Sequence, residues 1–251
     1  MNKPNIGLNL IIFGDRVQND LEGVLKEVSQ AGYTAIETRN FFETHGESRF
    51  EEILAKTGLR VGAIHVGYEE LTQEGKVDLH LQYLKAVGAR YFLCSGVSDL
   101  HSLEGYERSA EMFNQVGRQC RDAGIRFCYH NHDYEFRVWN GVKGIHRMME
   151  LCDSDLVGLC VDVYWVYIGG EDPAEYIDRY RNRAWYCHFK DGSPGRFTEL
   201  GRGEVDLLSA RDAALRAGTE WIVVEQDKTD KAPKDSIRES LEYLRGIGVA
   251  G

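Results

Sequence analysis

AGIRFCYH (residues 123–130) and SDLVGLCVD (154–162) are built to one pattern. A glycine or polar turn leads into a short apolar run, and the run stops on a polar residue, His130 in one case and Asp162 in the other. Runs this short and this apolar suit buried strands rather than helices. The same pattern recurs to either side: AGYTAIE (31–37) stops on Glu37, TGLRVGAIH (57–65) on His65, and VGARYFLCS (87–95) on Ser95. Further on, NRAWYCHFK (182–190) stops on Lys190 and AGTEWIVVE (217–225) on Glu225. An opening strand around Ile6–Leu10 brings the expected total to about eight. Gly32, Gly58, Gly88, Gly124 and Gly218 stand where a left-handed residue closes a preceding helix.

Between the strands the apolar period changes to that of a helix. Leu21, Val24, Leu25 and Val28 follow the i, i+3, i+4, i+7 spacing, with Asn19 or Asp20 as the cap. Ile237, Leu241 and Leu244 repeat it after Pro233, and Leu79, Tyr83 and Val87 are expected to do so in the third unit. Strict alternation of strand and helix requires a parallel sheet, because parallel strands need crossovers. The expected fold is α/β, a single (β/α)8 TIM barrel over residues 1–251, close to the roughly 250 residues such barrels need. An open doubly wound sheet is disfavoured, since GDRVQND (14–20) lacks a glycine-rich dinucleotide turn.

The net charge of −10 opposes nucleic-acid binding, which rests on neutralising phosphates. The apolar run near the start is too short to span a membrane and has no cleavage pattern of a signal peptide. Its reading is a first strand. The six cysteines form no CxxC pair and most lie in apolar runs, so buried reduced thiols and a cytoplasmic location are expected. A homo-oligomer is compatible with the sequence.

In this architecture the active site lies at the C-terminal mouth of the barrel. The sequence gathers Glu37, His65, His130, His132, Glu135, Asp162, His188, Lys190 and Glu225 there. Asp162, His188 and Glu225 end neighbouring strands, and a mixture of carboxylate and imidazole without thiolate suits Mn²⁺, Mg²⁺, Co²⁺ or Zn²⁺. A fourth ligand comes from HNHDYEF (130–136), where Glu135, His130 and His132 compete and the hard carboxylate of Glu135 is preferred. The competing reading is a plain ion pair of Asp162 with Lys190 or Arg183. Tyr164 and Trp165, directly after Asp162, are the first candidates to stack on a ligand, with His132 and Lys190 as further substrate contacts.

With these motifs in place, the chain resembles the sugar isomerase/epimerase branch of the xylose-isomerase-like barrels. The resemblance is carried by YHNHDYEF (129–136), VDVYWV (161–166), HFKDG (188–192), LGRGEVD (200–206) and VVEQD (223–227), and more loosely by AIE (35–37) and IH (64–65). It implies one divalent ion, most often Mn²⁺, held by a Glu–Asp–His–Glu set, of which Asp162, His188 and Glu225 supply three. The chain departs from the pattern inside strand five, which reads FCYHNH where many relatives have glutamate.

A chelated carbonyl acidifies the proton on the neighbouring carbon, and a carboxylate or histidine then removes it. Epimerisation or aldose–ketose isomerisation is the first reading. Dehydration or lysis of a keto-sugar or inosose, including 3-keto-glycoside elimination, is the alternative on the same site. An endonuclease role is disfavoured by charge, and a non-catalytic barrel by the intact ligand set. Glu225 is expected as ligand and base, with His65, Glu37 and His130 as further acid–base groups. The substrate is expected to be a small sugar, keto-sugar or polyol without phosphate, since EQDKTDKAPKD (225–235) contains no glycine.

Overall fold

The computed structural model describes residues 3–249. Eight parallel strands close into a barrel: β1 (Asn5–Asn9), β2 (Ala35–Thr38), β3 (Arg60–Gly67), β4 (Tyr91–Ser95), β5 (Arg126–His130), β6 (Val157–Asp162), β7 (Ala184–Phe189) and β8 (Trp221–Val224). Each pairs with its neighbours in sequence, and β1 closes the ring on β8 from Asn5↔Trp221 to Leu8↔Val224. The chief helices of the units are α1 (Leu21–Ala31), α2 (Glu47–Thr57), α3 (Lys76–Ala86), α4 (Leu103–Asp122), α5 (Gly144–Leu151), α6 (Pro173–Arg179), α7 (Leu207–Ala217) and α8 (Pro233–Gly246).

Local signals act as read. Asp20 caps α1 by accepting the Gly23 N–H at 3.1 Å, and Leu21, Val24, Leu25 and Val28 form its buried face. Gly218 closes α7 at φ 72°, a conformation that costs other residues a steric penalty. The third unit differs. Tyr83 is buried and Val87 packs on the core as expected, but Leu79 is 46% exposed, and α3 also buries Val77, His80, Leu81 and Leu84. Both sets fit a helical period, and the packing of α3 on the barrel leaves Leu79 outside.

Period-two alternation divides the barrel strands between two cores. Ala35, Ala63, Leu93, Cys128, Cys160, Tyr186 and Val223 fill the interior, while residues such as Phe127, Tyr129, Cys187 and Phe189 pack outward under the helices. Two residues beyond each interior position the chain reaches the mouth. Stepping by two from Val223, Ala35, Ala63, Leu93, Cys128, Cys160 and Tyr186 gives Glu225, Glu37, His65, Ser95, His130, Asp162 and His188. Alternation alone therefore assembles the polar layer. All six cysteines are buried and unpaired. Among the described residues, no helix is long and apolar enough to cross a membrane.

Residues 190–206 follow β7 as a hairpin, Asp191–Ser193 against Arg196–Thr198, and a return loop. Asp191 holds them by accepting four backbone N–H groups, from Gly192, Gly201, Gly203 and Val205, at 2.8 to 3.2 Å.

Candidate active site

Glu37 organises the mouth. Its Oε2 accepts from His188 Nε2 at 2.7 Å, and its Oε1 accepts from His65 Nδ1 at 3.0 Å and from Asn9 Nδ2 at 2.7 Å. Burial opposes its charge, but the two imidazoles outweigh burial and hold the carboxyl down at about 2. A carboxylate that takes one ring proton from each histidine fixes both tautomers and leaves the opposite nitrogens bare. Those nitrogens, His188 Nδ1 and His65 Nε2, are buried and make no hydrogen bond. His188 Nδ1 lies 2.7 Å from Glu225 Oε2 without hydrogen-bond geometry. Two buried acceptors at this separation need a cation between or beside them. Without a metal that cation is a proton: burial pulls the His188 imidazole down, but Cys160, Glu37 and Glu225 raise it well above its ordinary value.

His130 completes the group. Burial pushes its imidazole well below the ordinary value, so it is neutral and able to donate a lone pair. One ligand atom from each of His65, His130, His188 and Glu225 lies within 4.8 Å of the others. Three imidazoles and a carboxylate fit a divalent transition ion, and this cluster could hold one.

The other expected residues lie around this group. Asp162 borders it: Oδ1 accepts the Trp165 N–H at 3.0 Å, while Oδ2 is buried without a hydrogen bond, 4.0 Å from Lys190 Nζ. Burial raises its carboxyl to about 7. Arg183 does not pair with Asp162; its guanidinium is spent on the carbonyls of Val157 and Met149. Glu135 is not brought to the cluster, contrary to the sequence expectation. Its oxygens take the Tyr129 hydroxyl and the His132 N–H, and Tyr129 points outward against Phe113 of α4. HNHDYEF folds back on itself, so Glu135 serves the turn and His130 occupies the mouth. His132 lines the cleft, stacked on Tyr134 with ring centres 5.0 Å apart and bonded to its hydroxyl at 2.9 Å.

Lys190 is fully buried. Burial would lower its ammonium, but Glu225, Asp162 and Asp227 raise it above its ordinary value. It reaches Glu225 Oε1 at 3.3 Å and pairs with Asp227. Trp165 and Phe197 cover it at 4.6 and 4.8 Å from their ring centres. Tyr164 donates to Ser193 O at 3.0 Å and stands 5.9 Å from the ammonium. Tyr164, Trp165 and Lys190 therefore wall off the β6–β7 side and do not line the open cleft. That cleft, about 370 Å³, opens over β1–β3 between the cluster and Ile11, Gln18, Arg39 and Phe41.

Sequence reading missed Asn9, Asp227 and Asp191. Asn9 had a signal: it is the polar end of the first strand, in phase with the other seven. Asp227 had one too: it closes VVEQD (223–227) and continues the step of two from Val223 and Glu225.

A family model described as the xylose isomerase-like TIM barrel matches residues 25–247. The chain belongs to this family. Within this xylose isomerase-like family it is similar to the inosose dehydratase of Lacticaseibacillus casei, with 25% identity over 272 residues, 89% of this chain and 88% of that one. Among solved structures, a sugar phosphate isomerase/epimerase from Parabacteroides distasonis superposes with a TM-score of 0.84 at 22% identity, covering 100% of this chain and 96% of that one. A D-allulose 3-epimerase from Methylomonas sp., in complex with D-allulose, gives 0.77 at 17% identity over 98% of both chains. At these identities the two structures speak to the fold alone.

Proposed function

We propose that the protein is a divalent-metal-dependent enzyme that removes a proton next to the carbonyl of a small keto-sugar or keto-polyol and then expels water. The observation that carries this reading is the cluster of His65, His130, His188 and Glu225, with His188 Nδ1, which makes no hydrogen bond, 2.7 Å from Glu225 Oε2. His130, His188 and Glu225 would hold the ion, with the uncommitted Oδ2 of Asp162 as a further oxygen ligand. When bound, the ion acidifies the carbon next to a chelated carbonyl.

The remaining steps belong to side chains. His65 is the partly exposed member of the cluster, its side chain 17% accessible, and it faces the cleft. Its Nδ1 donates to Glu37 at 3.0 Å, which leaves Nε2, buried at the cleft wall without a hydrogen-bond partner, as the nitrogen that would accept the proton. His132, whose imidazole burial pushes down to about 4 so that it is neutral near pH 7, orients the substrate from the β5 side. Asp227, ion-paired with Lys190, lines the same cleft, and the proton taken up by His65 would leave with the departing hydroxyl as water.

Water loss comes ahead of epimerisation because the curated relatives of comparable length are named as dehydratases. Epimerisation or isomerisation is the second reading, supported by the likeness in fold. The cleft carries Glu37, Glu225, Asp227 and Asp15 against Arg39, which disfavours a phosphorylated substrate. Unpaired cysteines accord with a reducing, cytoplasmic setting. Incubation with Mn²⁺ and a panel of inososes, keto-hexoses and 3-keto-glycosides, followed by NMR, tests the reading. A dehydrated product supports it, and an epimer with no dehydration would replace it by the second.

A further inference from the structure

Asn9, at the end of β1, uses both ends of its side-chain amide. Oδ1 accepts the Ile11 N–H at 2.9 Å and caps the turn Leu10–Phe13. Nδ2 lies 2.7 Å from Glu37 Oε1 and 2.8 Å from Glu225 Oε2. The cap decides which end faces the carboxylates. A flipped amide would set its carbonyl against two carboxylate oxygens and strip Ile11 of its acceptor. Capping alone does not call for asparagine, since serine or aspartate serves as well. A short amide is what supplies one acceptor to the backbone and two protons to two carboxylates.

The barrel register explains why position 9 has this task. Asn9 pairs with Glu37 across β1–β2, and Leu8 lies opposite Val224, so Glu225 is the next residue on the other flank. β1 is the strand on which the ring closes, and Asn9 stands between a carboxylate on each neighbour.

We infer that Asn9 is a positioning residue for the ion: its amide sets the spacing between Glu225 and Glu37, the carboxylate that orients His188 and His65, and so pre-forms the site. The inference rests on the reading that His188 and Glu225 hold a divalent ion. Without the clamp, two buried carboxylates turn away from each other, and the bare nitrogens lose their common focus.

Titration with Co²⁺, followed by its visible absorption, tests this on the full chain. Asn9→Ser keeps a cap but cannot span to Glu37 and Glu225, and Asn9→Ala loses both functions. Both variants are expected to bind Co²⁺ about 10- to 100-fold more weakly, the usual cost of losing an orienting partner, with altered absorption bands. The circular dichroism of the metal-free Ser variant is expected to match the parent. A Ser variant with parental affinity and spectrum would reduce Asn9 to a cap and overturn the inference. A parent that binds no Co²⁺ would overturn the ion reading and the inference together. If the Ser variant fails to fold, Asn9→Asp keeps cap and length while removing both donors, and an unchanged Co²⁺ spectrum there would be equally fatal.

Discussion

Glu37 Oε2 accepts the Nε2 proton of His188 at 2.7 Å, across the barrel mouth from β2 to β7. This one bond decides that Nδ1, not Nε2, faces Glu225. Glu37→Gln is therefore expected to scramble the tautomers of His188 and His65 without removing any ligand. Calorimetric titration with Mn²⁺ should show affinity lower by about 10- to 100-fold. Equal affinity in parent and variant would show that the histidines orient themselves.

His65 separates ligand from proton carrier. His65→Ala should retain the metal at parental stoichiometry and lose at least about tenfold in turnover, the low end for a positioned acid–base group. Elemental analysis and rate measurement together check it. Loss of the ion would make His65 a ligand, and unchanged turnover across the pH range would make it structural.

Glu135 is a clamp of the turn that presents His132, and it carries a pH signature. Burial, opposed by hydrogen bonds from Tyr129 and the His132 N–H, raises its carboxyl from 4.5 to about 7. Between those values the folded chain keeps a proton that the unfolded chain has released. Its contribution is thus full below about 4.5 and falls as pH rises through 7, by on the order of 3 kcal/mol at most. In urea unfolding of the metal-free protein, Glu135→Gln should flatten the decline between pH 5 and pH 8 and leave Mn²⁺ affinity near the parent's. The same slope in both proteins, or loss of Mn²⁺ on substitution, would restore Glu135 to a role at the ion.

Gly203 passes close to Asp191: an added Cβ would meet its Oδ1 and the Gly192 nitrogen at 2.2 Å. Gly203→Ala should cost about 1–3 kcal/mol through forced overpacking, seen as a melting point lower by several degrees. The hairpin carrying Phe197 should loosen over Lys190, with faster proteolysis within residues 190–206. An unchanged melting point and digestion pattern would refute the pinned-loop account.

Much of the barrel was legible because strand and helix periods are local and repeat. The polar end of each strand was legible for the same reason, and His65, His130, His188 and Glu225 were found that way. Spacing cannot report how a turn folds back. HNHDYEF offered three candidates within six residues, and the pairing of Glu135 with Tyr129, which packs against Phe113, takes Glu135 away from the mouth. The same limit applies to Tyr164 and Trp165: adjacency to Asp162 was visible, but their partnership with Lys190 depends on a hairpin from another unit. Asn9 was overlooked because its strand was recognised by its apolar run and not by its last residue.

The central claim is carbon-acid chemistry at an ion held by His130, His188 and Glu225. The most direct measurement is deuterium uptake from D₂O at the carbon beside the carbonyl of an inosose or keto-hexose, read by NMR with and without Mn²⁺. The account predicts uptake that requires the ion, persists when product formation is slow, and disappears in His188→Ala. Full metal occupancy with no exchange into any member of the panel, or exchange undiminished in His188→Ala, would contradict it.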